Sequence, residues 1–106
     1  MMRLKSEHYD DDGNLMYFEV TSLISRQKIY RIIKDIDNVI ILKRPKRWQL
    51  FSEDVFCVFS LNNINFEVWE PFADNDRYHI ASKPLRPSKE LNLIRDHIKN
   101  YKYLLF

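Results

Sequence analysis

The densest group of residues able to do chemistry is Lys43-Arg44-Pro45-Lys46-Arg47-Trp48. Four cations and an indole can hold phosphates by charge while the ring stacks on a base. Arg31 and Lys34 would extend that surface. The plain alternative is a solvated loop turned by Pro45. A net charge of only +2 also weighs against nucleic acid, whose binding domains are usually more basic.

A second candidate is the acidic run Glu67, Glu70, Asp74 and Asp76 with His79. Carboxylates beside an imidazole can bind a divalent cation or move protons. Strand alternation would send Glu67 and Glu70 to opposite faces, so they would not share a site. Asp74 and Asp76 sit near Arg77, which can pair with them. The stretch Asp10-Asp11-Asp12-Gly13-Asn14 superficially resembles a calcium loop but lacks the later ligands and the closing glutamate. His8, His79 and His97 have no zinc-type spacing. Cys57 has no cation near it in sequence and reads as a buried, inert thiol. Gly13 is the single glycine, which argues against a glycine-rich phosphate loop. No nucleophile–histidine–acid or dinucleotide pattern is present. No catalytic residue, metal or cofactor is therefore expected.

These side chains must be positioned by a short chain. At 106 residues there is room for one domain, residues 1–106, with one core. Aromatic residues make up 14%, enough for a packed interior without a metal or disulfide. A lone cysteine and a polar start give no sign of secretion. The apolar runs are too short to cross a bilayer. The expectation is a cytoplasmic protein with no membrane contact. Abundant Ile, Asn, Lys and Tyr suggest an AT-rich, microbial coding sequence.

Charge is sharply segregated. Residues 48–76 hold six acids and no Lys or Arg, whereas the flanking segments are basic. Acidic strands can pair with basic neighbours inside the fold, or can present a charged face to a partner.

The pattern predicts an α+β fold in the order β(β)αββββα. A mostly antiparallel sheet of four to six strands would carry two amphipathic helices on one face. Residues 11–14 signal a hairpin turn before a strand over 15–21, with residues 3–9 as its partner. Ser22 and Ser25 suit a helix N-cap, and Ile29, Ile32, Ile33 and Ile36 form one helical face over residues 25–37. A strand over 39–43 follows. Residues 54–61 and 64–71 form a hairpin around Asn62-Asn63, with Phe59 opposite Phe66, Cys57 opposite Val68 and Phe56 opposite Trp69. A last short strand covers 77–82. Ser88 caps a second helix with Leu91, Ile94, Ile98 and Tyr101 on one face, and residues 104–106 would dock the chain end.

In this register Phe56 and Trp69 lie away from the core, beside Glu67. The leading reading is a non-enzymatic protein-binding domain that engages a basic partner through Phe56, Glu67, Trp69, Glu70, Asp74 and Asp76. Aromatic anchors rimmed by charge suit such a surface. A small inhibitor of the immunity or antitoxin type fits by class, with no motif behind it. The alternative is a nucleic-acid or anion binder using Arg31, Lys34, Lys43, Arg44, Lys46, Arg47 and Trp48. A small enzyme using the 67–79 acids ranks third.

Overall fold

The computed structural model describes residues 4–46, 55–71 and 76–101. It contains strands β1 (Leu4–Tyr9), β2 (Leu15–Thr21), β3 (Val39–Lys43), β4 (Val55–Leu61), β5 (Ile64–Trp69) and β6 (Arg77–Ser82), with helices α1 (Arg26–Lys34) and α2 (Lys89–Asn100). The six strands form one sheet in the order β1-β2-β6-β5-β4-β3, and every neighbouring pair is antiparallel.

Local chemistry accounts for the turns and caps. Asp10 accepts from the backbone N–H of Asp12 at 3.0 Å and of Asn14 at 2.8 Å, closing the β1–β2 turn. Gly13 supplies its positive φ of 83°. Between β4 and β5, Asn62 and Asn63 adopt φ of 51° and 67°, the left-handed pair that a two-residue hairpin loop requires. Ser25 and Ser88 cap the two helices by accepting from Lys28 and Leu91. The first helix ends at Lys34, before the predicted Asp37, and Asn38 takes a left-handed φ of 69° before β3 begins.

The topology follows from one crossover and one meander. After the β1–β2 hairpin, α1 carries the chain to β3 at the far edge of the sheet. Strands β3, β4, β5 and β6 then fold back as successive neighbours until β6 docks on β2. Thus β6, last among the strands in sequence, lies in the middle of the sheet.

Both helices cover the same face. Ile29, Ile32 and Ile33 of α1 and Leu91, Ile94 and Ile98 of α2 join Phe18, Val20, Phe59, Phe66, Val68 and Ile80 in one buried cluster. The strand registers place those sheet residues on one side: Phe59 opposes Phe66, Val68 opposes Ile80, and Ile80 opposes Phe18. The Phe59 and Phe66 rings stack with centroids 5.3 Å apart. The Nε2 of His97 lies 3.1 Å from the Ile32 carbonyl and ties the helices together. Tyr78 donates its hydroxyl to the Ile24 carbonyl at 2.7 Å, fixing the approach to α1.

One expectation is corrected here. A β-bulge between Val55 and Cys57 sets Val55, not Phe56, opposite Trp69. The extra residue turns Phe56 towards the core, where it is 3% exposed. There its ring meets Tyr78 edge-on at 5.1 Å, and the Arg26 guanidinium lies 4.7 Å from its centroid. Phe56 is a core residue and cannot anchor a partner in this conformation.

Candidate functional site

The sheet face turned away from the helices carries a layer of polar and aromatic side chains. Alternation along β1, β2, β6 and β5 brings Ser6, His8, Tyr17, Glu19, Arg77, His79, Glu67 and Trp69 to that side. Four rings form a row across the four strands. His8 stacks on Tyr17 with centroids 4.2 Å apart and planes 8° from parallel. Tyr17 stacks on His79 at 5.6 Å and 13°, and His79 leans on Trp69 at 5.1 Å and 32°.

Glu19 lies beside this row and is only 4% exposed. A carboxylate in that position requires strong partners. Ser6 donates its hydroxyl to Oε1, the Nε2 of His8 is 2.9 Å from the same oxygen, and the Nε2 of His79 is 2.7 Å from Oε2. Arg77 approaches Oε1 at 3.6 Å. Burial works to raise the Glu19 pKa, but the hydrogen bonds from Ser6 and His8 and the charges of His79 and Arg77 outweigh it. The carboxyl is held below its ordinary 4.5.

Ser6, His8 and Glu19 superficially suggest a nucleophilic triad. Such a triad needs the serine on one ring nitrogen and the acid on the other. Here the single Nε2 of His8 faces both Ser6 Oγ, at 3.0 Å, and Glu19. The Ser6 hydroxyl donates to the carboxylate itself, so the serine–imidazole–acid order of a triad is not formed. The cluster satisfies a buried charge.

The acids expected to face a partner are engaged within the chain. Glu67 lies 3.6 Å from Lys83, and Glu70 accepts from the Arg26 Nη2 at 2.7 Å. Asp76 is 3.4 Å from Lys5 and 2.8 Å from the Arg77 Nε. Glu70 therefore belongs to the α1 side, while Glu67 shares the open face with Trp69. Asp74 lies outside the described residues. Much of the charge segregation is thus answered by pairing inside the fold.

The basic candidates divide as well. Arg31 and Arg44 border one cleft with Gln27, Tyr30 and Pro45. Lys43 instead donates to the Val55 carbonyl at 3.1 Å, and the Lys34 Nζ lies 5.9 Å from the Tyr30 ring centroid. Lys46 is exposed beyond the cleft. Arg47 and Trp48 lie outside the described residues.

Cys57 is buried, and burial pushes its thiol up to about 12. Among the described residues, no group of three His, Cys, Asp or Glu side chains is arranged to hold a metal ion. No described helix is long and apolar enough to cross a membrane.

Sequence reading named Trp69, Glu67 and His79 but missed Ser6, His8, Tyr17 and Glu19. The signal was present in the first hairpin: the Asp10–Asn14 turn puts His8 opposite Tyr17 and Ser6 opposite Glu19, a polar alternation with no role in the core. The β2–β6 pairing that completes the cluster has no local signature. Compared with known proteins, the chain matches no family model, no curated protein and no solved structure.

Proposed function

We propose that this protein is a non-enzymatic binding domain that engages a protein partner through the open face of its sheet. The row His8–Tyr17–His79–Trp69, on the face that neither helix covers, carries the reading. Aromatic side chains are enriched at protein interfaces, where Tyr and Trp offer large contact area with little entropy to lose. The edge strand β3 adds exposed apolar surface through Ile40 and Leu42, 61% and 55% exposed.

The charge arrangement favours a protein over a nucleic acid on this face. Lys5, Arg77 and Lys83 are each ion-paired to an acid, so they are poor counterions for phosphate. The same pairing shifts the weight of recognition from acidic charge to the rings. Glu19 serves as the buried polar support that fixes His8 and His79 in place.

Affinity capture from the native host followed by reconstitution with the purified candidate tests this reading. The supporting result is one protein that binds the wild-type chain directly and loses affinity for Trp69→Ala and Tyr17→Ala. A directly binding partner whose affinity neither substitution changes would overturn it.

A further inference from the structure

We propose that the cleft between α1 and the segment following β3 is an oxyanion site for the phosphoryl group of a ligand. Gln27, Tyr30, Arg31, Arg44 and Pro45 line it, and its volume is about 490 Å³. That volume falls within the range of small-ligand sites.

Two arginines, Arg31 and Arg44, border this cleft. No acidic side chain among the described residues forms an ion pair with Arg31 or Arg44. This separates them from Arg26, held by Glu70, from Arg77, held by Asp76, and from Arg95, held by Glu7 and Asp96. A guanidinium presents a planar fork of N–H donors that matches two phosphate oxygens, and two such forks bordering one cleft suit a phosphate ester.

The cleft is built into the fold. Ile29, Ile32 and Ile33 commit one side of α1 to the core. The helix contains no acid, so its remaining surface is dominated by cations. Gln27 donates its side-chain amide to the Pro45 carbonyl at 3.1 Å, bridging helix and loop. Pro45 itself is buried, which fixes the backbone next to Arg44. The Lys34 ammonium near the Tyr30 ring adds a further positive charge beside the cleft.

Arg31 also lies in the last turn of α1, where a cation offsets the partial negative charge of the helix end. The test must separate that structural role from binding. Arg31→Lys keeps the charge at the helix end and removes the fork.

The phosphoryl group can belong to a free small molecule or to a nucleic-acid strand. Titration of isotope-labelled protein with pyrophosphate and, in parallel, with a single-stranded oligonucleotide separates the two, with sodium chloride as the ionic control. The expected result is a saturable shift of the amide signals of Gln27, Tyr30, Arg31 and Arg44. Arg31→Ala combined with Arg44→Ala should abolish it, Lys99→Ala should leave it intact, and Arg31→Lys should weaken it by about tenfold. Oligonucleotide binding that is tighter than pyrophosphate binding and falls steeply with salt assigns the phosphate to a strand. Pyrophosphate binding equal to or tighter than that of the oligonucleotide assigns it to a free ligand. The proposal is overturned if neither ligand gives a saturable shift by about 10 mM, or if the double variant binds as the wild type does. Trp69→Ala, on the other side of the sheet, should not change this titration, so failure here leaves the open-face reading untouched.

Discussion

His79 faces Glu19 directly across the pairing of β2 with β6, with Nε2 2.7 Å from Oε2. The contact joins the first hairpin to the last strand of the meander, the closure on which the whole sheet depends. It also fixes the ring that links Tyr17 to Trp69. A charge has been placed where only its partners make it tolerable, and the aromatic row lies beside it.

That contact predicts an acid-sensitive contribution to stability. The folded-state pKa of Glu19 is depressed, so the stabilisation is fully present above the ordinary carboxylate value of 4.5. It is lost as pH falls through the lower folded-state value. Glu19→Gln should cost about 1–3 kcal/mol near neutrality, since it disturbs a buried charge-assisted network. Denaturant titrations across pH should show the gap between wild type and Glu19→Gln narrowing below pH 4.5. A gap independent of pH would contradict the assignment.

Phe59 and Phe66 should carry a large share of the core. Both are fully buried and their rings stack. Phe59→Ala should destabilise by about 3–5 kcal/mol, a large part of the stability of a small domain. Equilibrium unfolding in urea checks this, and a cost below about 1 kcal/mol would be inconsistent with the packing.

Phe56 and Trp69 should separate stability from binding. Phe56→Ala removes a ring packed against Tyr78 and Arg26 and should lower the unfolding midpoint substantially. Trp69→Ala removes a half-buried ring from the open face and should cost the fold less while weakening partner binding by about 2 kcal/mol or more. Equal losses of stability from the two substitutions would place Trp69 in the structural core instead.

Cys57 should be silent to thiol reagents. Its thiol, pushed up to about 12 by burial, holds essentially no thiolate at neutral pH. Labelling with an aromatic disulfide should occur only after unfolding. Rapid reaction of the folded chain would show that the β4 backbone opens far more readily than its burial implies.

The elements were legible because their signals are local. Asn62-Asn63 marks its own hairpin, Ser25 and Ser88 mark helix starts, and the isoleucine spacing of α1 marks its buried face. Those features led directly to the Phe59–Phe66 register and to helices on one side of the sheet. The bulge at Phe56 left no such trace, because Phe56 and Cys57 are both apolar and either can face the core. The Glu19 cluster depends on β6 returning to β2 over more than fifty residues, a pairing that closes only in three dimensions. Arg31 and Arg44 were named from charge alone, and their meeting in one cleft depends on Gln27 holding the loop after β3.

The most direct test of the open face as the binding surface is photocrosslinking in the native host. A benzoylphenylalanine in place of Tyr17 reports on that face, and one in place of the exposed Leu93 on α2 reports on the helical side. The account predicts a discrete adduct to a single protein from position 17 and none from position 93. An adduct from position 93 with nothing captured at position 17 would contradict it.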